Sequence, residues 1–81
     1  MLERRKHQRR RTLKAGEIIL NDRASLIACT IRNISAGGAC LELGPSIQIP
    51  NIFDLNIPSS NLLKPCQIAW RSVDRVGVAF R

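Results

Sequence analysis

The sequence predicts an all-β domain, a small antiparallel barrel or sandwich, on three observations. Short stretches alternate apolar and polar residues with a period of two, and turn residues interrupt them every eight to twelve positions. No stretch carries the 3.6-residue period of an amphipathic helix. The chain has 81 residues, 44% of them hydrophobic, which allows one small core and one domain. Closing the sheet on itself would remove exposed strand edges, and this favours a barrel.

The strands follow in order. Glu17–Leu20, apolar from Ile18 onward, stops at Asn21-Asp22, a turn pair. From Leu26 to Arg32 the residues alternate, with Ile27, Cys29 and Ile31 on one face and Ala28, Thr30 and Arg32 on the other. Asn33-Ile34-Ser35-Ala36-Gly37-Gly38 has turn chemistry and leads into Ala39–Leu43, which Gly44-Pro45 ends. Ile47 and Ile49 alternate briefly. Ile52–Ile57 alternates again and stops at Pro58-Ser59-Ser60-Asn61. Cys66–Arg71 and Val76–Phe80 close the set, joined through residues 72–75. Trp70 has two readings, a stacking platform or packing in or near the core, and the scarcity of aromatic residues favours the second. One Trp, two Phe and no Tyr are too few for the aromatic sheet of a single-strand nucleic-acid binder.

Charge divides the chain unevenly. The formal net charge is +7, and residues 1–14 account for +6 of it: Arg4, Arg5, Lys6, Arg9, Arg10, Arg11 and Lys14 against Glu3 alone. Residues 1–14 therefore read as a basic, flexible arm and residues 15–81 as a nearly neutral β domain. Such an arm suits an anionic partner: a nucleic acid, a nucleotide or an anionic surface.

Several classes are disfavoured. The basic start is not followed by the apolar segment of a signal peptide, and no run reaches the length of a membrane span, so a cytoplasmic protein is expected. Cys29, Cys40 and Cys66 lack paired metal-ligand spacing, and His7 is the single imidazole, so neither a metal site nor a cofactor is expected. The cysteines read instead as small buried hydrophobes. An enzyme is not expected: the acidic residues are scattered, and no hydroxyl or thiol has a general base in sequence context.

Two features carry chemistry. Arg4-Arg5-Lys6-His7-Gln8-Arg9 has the pattern R-R-x-x-x-R, and Asn33–Gly38 has the pattern N-x-S-x-x-G between two strands. Taken singly, the first reads as a polybasic tail and the second as a hairpin loop. The register of the first is specific, because the same gap from Arg10 and Arg11 lands on Lys14 and Ala15.

Together, in this order and before an all-β body, the motifs resemble the PilZ domain, a bacterial receptor for cyclic di-GMP. The closing Ile68–Arg71 and Arg75–Phe80 are similar to that family's last strands. The resemblance implies a six-stranded antiparallel barrel whose ligand is clamped between the arm and the second motif. It implies base and phosphate contacts from Arg4, Arg5 and Arg9, and ligand contacts from Asn33, Ser35 and Gly38, with Arg10 and Gly37 as accessory positions. The chemistry agrees: a guanidinium donates a bidentate pair to guanine O6 and N7 and stacks on the base. Gly38 would keep a turn free of a Cβ in the ligand's way.

The family commonly adds a C-terminal helix over one end of the barrel; this sequence stops at Arg81, before such a helix, as either a minimal form or part of a longer chain. Exposed apolar surface at that end, and with it a homo-oligomer, is a further expectation. The resemblance implies a downstream protein partner that the sequence does not identify. A small nucleic-acid-binding barrel and a protein-binding adaptor without nucleotide remain as alternatives; no specific nucleic acid is expected under the first reading.

Overall fold

A computed structural model describes residues 10–20 and 25–81. Six strands form the domain: β1 (Arg10–Ile19), β2 (Leu26–Ile34), β3 (Gly38–Glu42), β4 (Ile52–Ile57), β5 (Leu62–Arg71) and β6 (Arg75–Phe80). They close into a barrel in the order β1-β2-β3-β6-β5-β4, every neighbour antiparallel. The seam between β4 and β1 is the shortest, three residue pairs from Glu17↔Asn56 to Ile19↔Asp54. The Asn56 side-chain amide reinforces it by donating to the Glu17 carboxylate at 2.9 Å.

The alternation read from sequence fills the interior. Ile18, Ile31, Leu41, Phe53, Leu55 and Ile57 are almost wholly removed from water and meet in one core with Cys29, Cys66, Val76 and Val78. Burial of this apolar area is the main stabilising term, at about 25 cal/mol per Å².

Three elements differ from the sequence reading. β1 begins at Arg10 rather than Glu17, so residues 10–14 are not part of a loose arm: Arg10 pairs with Ile34, Arg11 with Asn33 and Lys14 with Ile31. Basic charge does not forbid a ladder, because a strand needs backbone partners first. β5 begins at Leu62 and runs through Pro65. The Pro65 carbonyl accepts from the Arg81 N–H at 2.9 Å, so the donor that proline lacks would have pointed to the same flank. That flank lies past the end of β6, and no ladder bond to β4 is lost. Finally, Ile47 and Ile49 are not in a strand. They lie in the loop from β3 to β4, where Ile49 is buried and Ile47 is exposed. Arg71 fastens that loop, donating to the Ile49 carbonyl at 3.1 Å and to the Asn51 side-chain oxygen at 2.8 Å. The turn after β4 is a single 3-10 turn, Pro58–Ser60, ended by Asn61 in the left-handed conformation. No α-helix occurs among the described residues, and none of their helices is long and apolar enough to cross a membrane.

The three cysteines are free thiols and all are buried. Burial pushes the Cys29 thiol up to about 11, with Glu17 adding to the effect. Burial likewise pushes Cys66 up to about 11, helped by Asp54 and opposed by a Leu55 backbone hydrogen bond and Lys64. A thiol that ionises later in the folded chain than in the unfolded one stabilises the fold fully below pH 9. That contribution is lost between pH 9 and 11, as the unfolded chain gains the thiolate first. Each thiol should cost the fold about 1 kcal/mol by pH 10. Urea midpoints at pH 8 and pH 10 should therefore differ less in a Cys29→Ala/Cys66→Ala variant than in the wild type. An equal drop in both would assign the alkaline loss to other groups.

Candidate functional site

Two β-bulges shape one outer face of the barrel. Along β2 the pairing with β3 passes from Ile31↔Leu41 to Asn33↔Cys40, leaving Arg32 as an extra residue. Strict alternation would send Asn33 inward with Cys29 and Ile31. The bulge turns it outward and lets Ile34 pack against the core instead. The same happens on β5, where the pairing with β6 passes from Ile68↔Val78 to Trp70↔Gly77 and leaves Ala69 extra. Trp70, expected in or near the core, is therefore on the outside and 47% exposed.

Between these two residues the face is made of small side chains. Asn33, Cys40, Gly77 and Trp70 lie in one lateral row across β2, β3, β6 and β5. Three strand spacings separate its ends, about 14 Å. Gly38 pairs with Ala79 in the next row. The result is a trough of about 420 Å³ lined by Ser35, Gly37, Gly38, Trp70, Gly77 and Ala79 among others, in the size range of small-ligand pockets. The indole forms one wall, and Ser35, Gly37 and Gly38 of the turn form the other, with Asn33 at the far end of the row outside the lining.

The turn is held by backbone hydrogen bonds, one within it and one from β6. The Ser35 N–H donates to the Gly38 carbonyl at 2.8 Å, and the Phe80 N–H donates to the Gly37 carbonyl at 2.9 Å. The Ser35 hydroxyl reaches the Gly38 carbonyl at only 3.4 Å, a long contact that a ligand oxygen can replace. Gly38 is needed for a reason other than turn conformation, since no glycine has a positive φ among the described residues. A Cβ at Gly38 would overlap the carbonyl oxygen of Val78, so glycine here permits the close approach of β3 and β6. Gly37 has open space around its missing Cβ. Arg32, the nearest basic side chain on β2, is committed to Glu42 at 3.0 Å.

The structure thus brings together Asn33, Ser35, Gly37 and Gly38 from the sequence reading. Arg10 starts β1 opposite Ile34, so the basic segment joins the barrel beside this turn. Arg4, Arg5 and Arg9 lie outside the described residues. Sequence reasoning weighed Trp70 as a stacking platform but favoured the core, and it missed Gly77; the sequence carried no signal for the bulge that exposes the indole. A second cleft, about 370 Å³, lies at the other end of the barrel between the β3–β4 loop and residues 72–75. It contains none of the motif residues. Among the described residues no group of three potential metal ligands converges.

The chain matches the PilZ domain family over residues 3–81 and belongs to it. PilZ domains are receptor and adaptor domains for cyclic di-GMP rather than enzymes. No curated protein matches the chain in sequence.

Proposed function

We propose that this PilZ domain binds cyclic di-GMP in the trough between the Asn33–Gly38 turn and Trp70, and that the arm closes over the ligand. One observation carries the reading: β1 enters the barrel with Arg11 paired to Asn33, so the basic segment is tethered at the edge of the trough. At most about 3.6 Å of chain per residue separates Arg10 from Arg9, Arg5 and Arg4, which keeps all three within reach of a dinucleotide there.

Each group then has a role fitted to its chemistry. The guanidinium groups of Arg4, Arg5 and Arg9 donate to guanine O6 and N7 or to phosphate oxygens, with Arg10 as an accessory cation. The Asn33 side-chain oxygen accepts from the guanine Watson–Crick edge, and the Ser35 hydroxyl meets a phosphate oxygen or base edge. The open space beside Gly37 leaves room for a planar base at the turn, and the indole offers it a stacking face. Ligand contacts available only with the arm in place shift the arm's population, and the rearranged surface is read by a protein partner. As receptor for a bacterial second messenger, the domain works in the cytoplasm.

Titration calorimetry with cyclic di-GMP tests this directly. Binding should weaken at least tenfold in Arg5→Ala and in Ser35→Ala, while GMP and random oligonucleotides compete poorly. No heat with cyclic di-GMP, together with a salt-sensitive gel shift of random oligonucleotides, would replace this reading with a nucleic-acid-binding arm.

A further inference from the structure

We infer that Gly77 is a positioning residue for the trough: carrying no side chain, it seats the Trp70 indole on β6 and so fixes the aromatic wall. The inference rests on the nucleotide reading for its ligand arm, but the seating itself does not.

The geometry is specific. Gly77 and Trp70 are direct cross-strand partners on the outer face. A Cβ built on Gly77 would overlap the indole at Nε1 and Cε2 and come within 2.8 Å of Cδ1. These are its three nearest heavy atoms, and all belong to the one ring. The pyrrole half of the indole therefore occupies the place where any other residue would put its side chain. Glycine in a strand interior ordinarily weakens the strand, and a cross-strand aromatic lying over it restores the lost cover. Here the aromatic does more than cover. The bulge at Ala69 sends Trp70 outward, and without a seat an outward Trp on a barrel would stand away from the sheet. Resting on Gly77, the ring stays low and at a fixed distance from the opposite turn. A methyl at position 77 would lift it, changing both the width of the trough and the face presented to a ligand.

Trp70 is the single tryptophan and the chain has no tyrosine, so emission reports this ring alone. Acrylamide quenching of Gly77→Ala should rise at least twofold over wild type as the indole lifts off β6. Affinity for cyclic di-GMP by calorimetry should fall at least tenfold. In a Trp70→Ala background, adding Gly77→Ala should change affinity less than twofold, because the residue acts through the ring. Quenching and affinity both within twofold of wild type in Gly77→Ala would overturn the inference. So would an equal loss of affinity in both backgrounds, which would place the effect in the backbone. If the wild type binds no cyclic di-GMP, the functional reading fails and quenching alone decides the seating. If Gly77→Ala does not fold, the double variant decides: recovery of the fold supports the seat, and continued failure overturns it.

Discussion

Gly38→Ala should cost the domain about 3 kcal/mol or more, while Gly37→Ala, one residue earlier, should stay within about 0.5 kcal/mol of wild type. Both residues lie in the same Gly-Gly step and both line the trough, yet their surroundings are opposite. The Cβ of an alanine at 38 would fall on the Val78 carbonyl oxygen and come within 3.2 Å of its carbon, and backbone cannot rotate aside as a side chain can. Relief requires β3 and β6 to separate where Gly38 pairs with Ala79 and Ala39 with Val78. At position 37 nothing lies within 4 Å and φ is not positive, so alanine fits and also restricts the unfolded chain. Thermal or urea unfolding followed by circular dichroism separates the two. Equal midpoints for the two variants would mean that the β3–β6 approach yields easily.

Phe53→Ala should cost about 3–5 kcal/mol, a large part of the roughly 4–12 kcal/mol expected for a domain of this length. Phe53 is 2% exposed on β4, paired with Cys66, and it is among the largest of the fully buried side chains. Its removal leaves a cavity that a closed barrel cannot collapse without shifting several strands. Phe53→Leu should cost under about 2 kcal/mol. β4 is not one of the four strands that carry the trough row, so the leucine variant should bind ligand as the wild type does. A leucine variant that folds but loses binding would mean that core packing and trough are coupled. A mild urea shift for the alanine variant would contradict the packing account itself.

The barrel was legible because period-two patterning records which residues face the core. Ile52–Ile57 emerges with the bounds the alternation predicts, and β2, β3 and β6 differ from expectation by one or two residues at an end. Patterning fails where the chain gains a residue without gaining a turn. The extra residues Arg32 and Ala69 leave the hydrophobic rhythm nearly intact, yet they reverse the facing of Asn33 and Trp70. It also fails where an apolar pair finds no partner strand: Ile47 and Ile49 alternate, but β4 already closes the sheet onto β1. Of the site, Asn33, Ser35 and the two glycines were legible as a motif. The reason for Gly38, a carbonyl some forty residues further along the chain, was not.

That long reach has a consequence for how the protein is made. The trough row takes its residues from β2, β3, β6 and β5, and its floor joins β3 directly to β6, the last strand in chain order. A chain still on the ribosome, with β1 to β5 already synthesised, holds the Asn33–Gly38 turn and the tryptophan but no surface between them. Pairings of this sequence separation form late and slowly, because loop closure must come before its reward. Completion of the barrel is then a precondition for any ligand site on this face. A small molecule that prefers the finished barrel would bias newly made chains toward it by mass action.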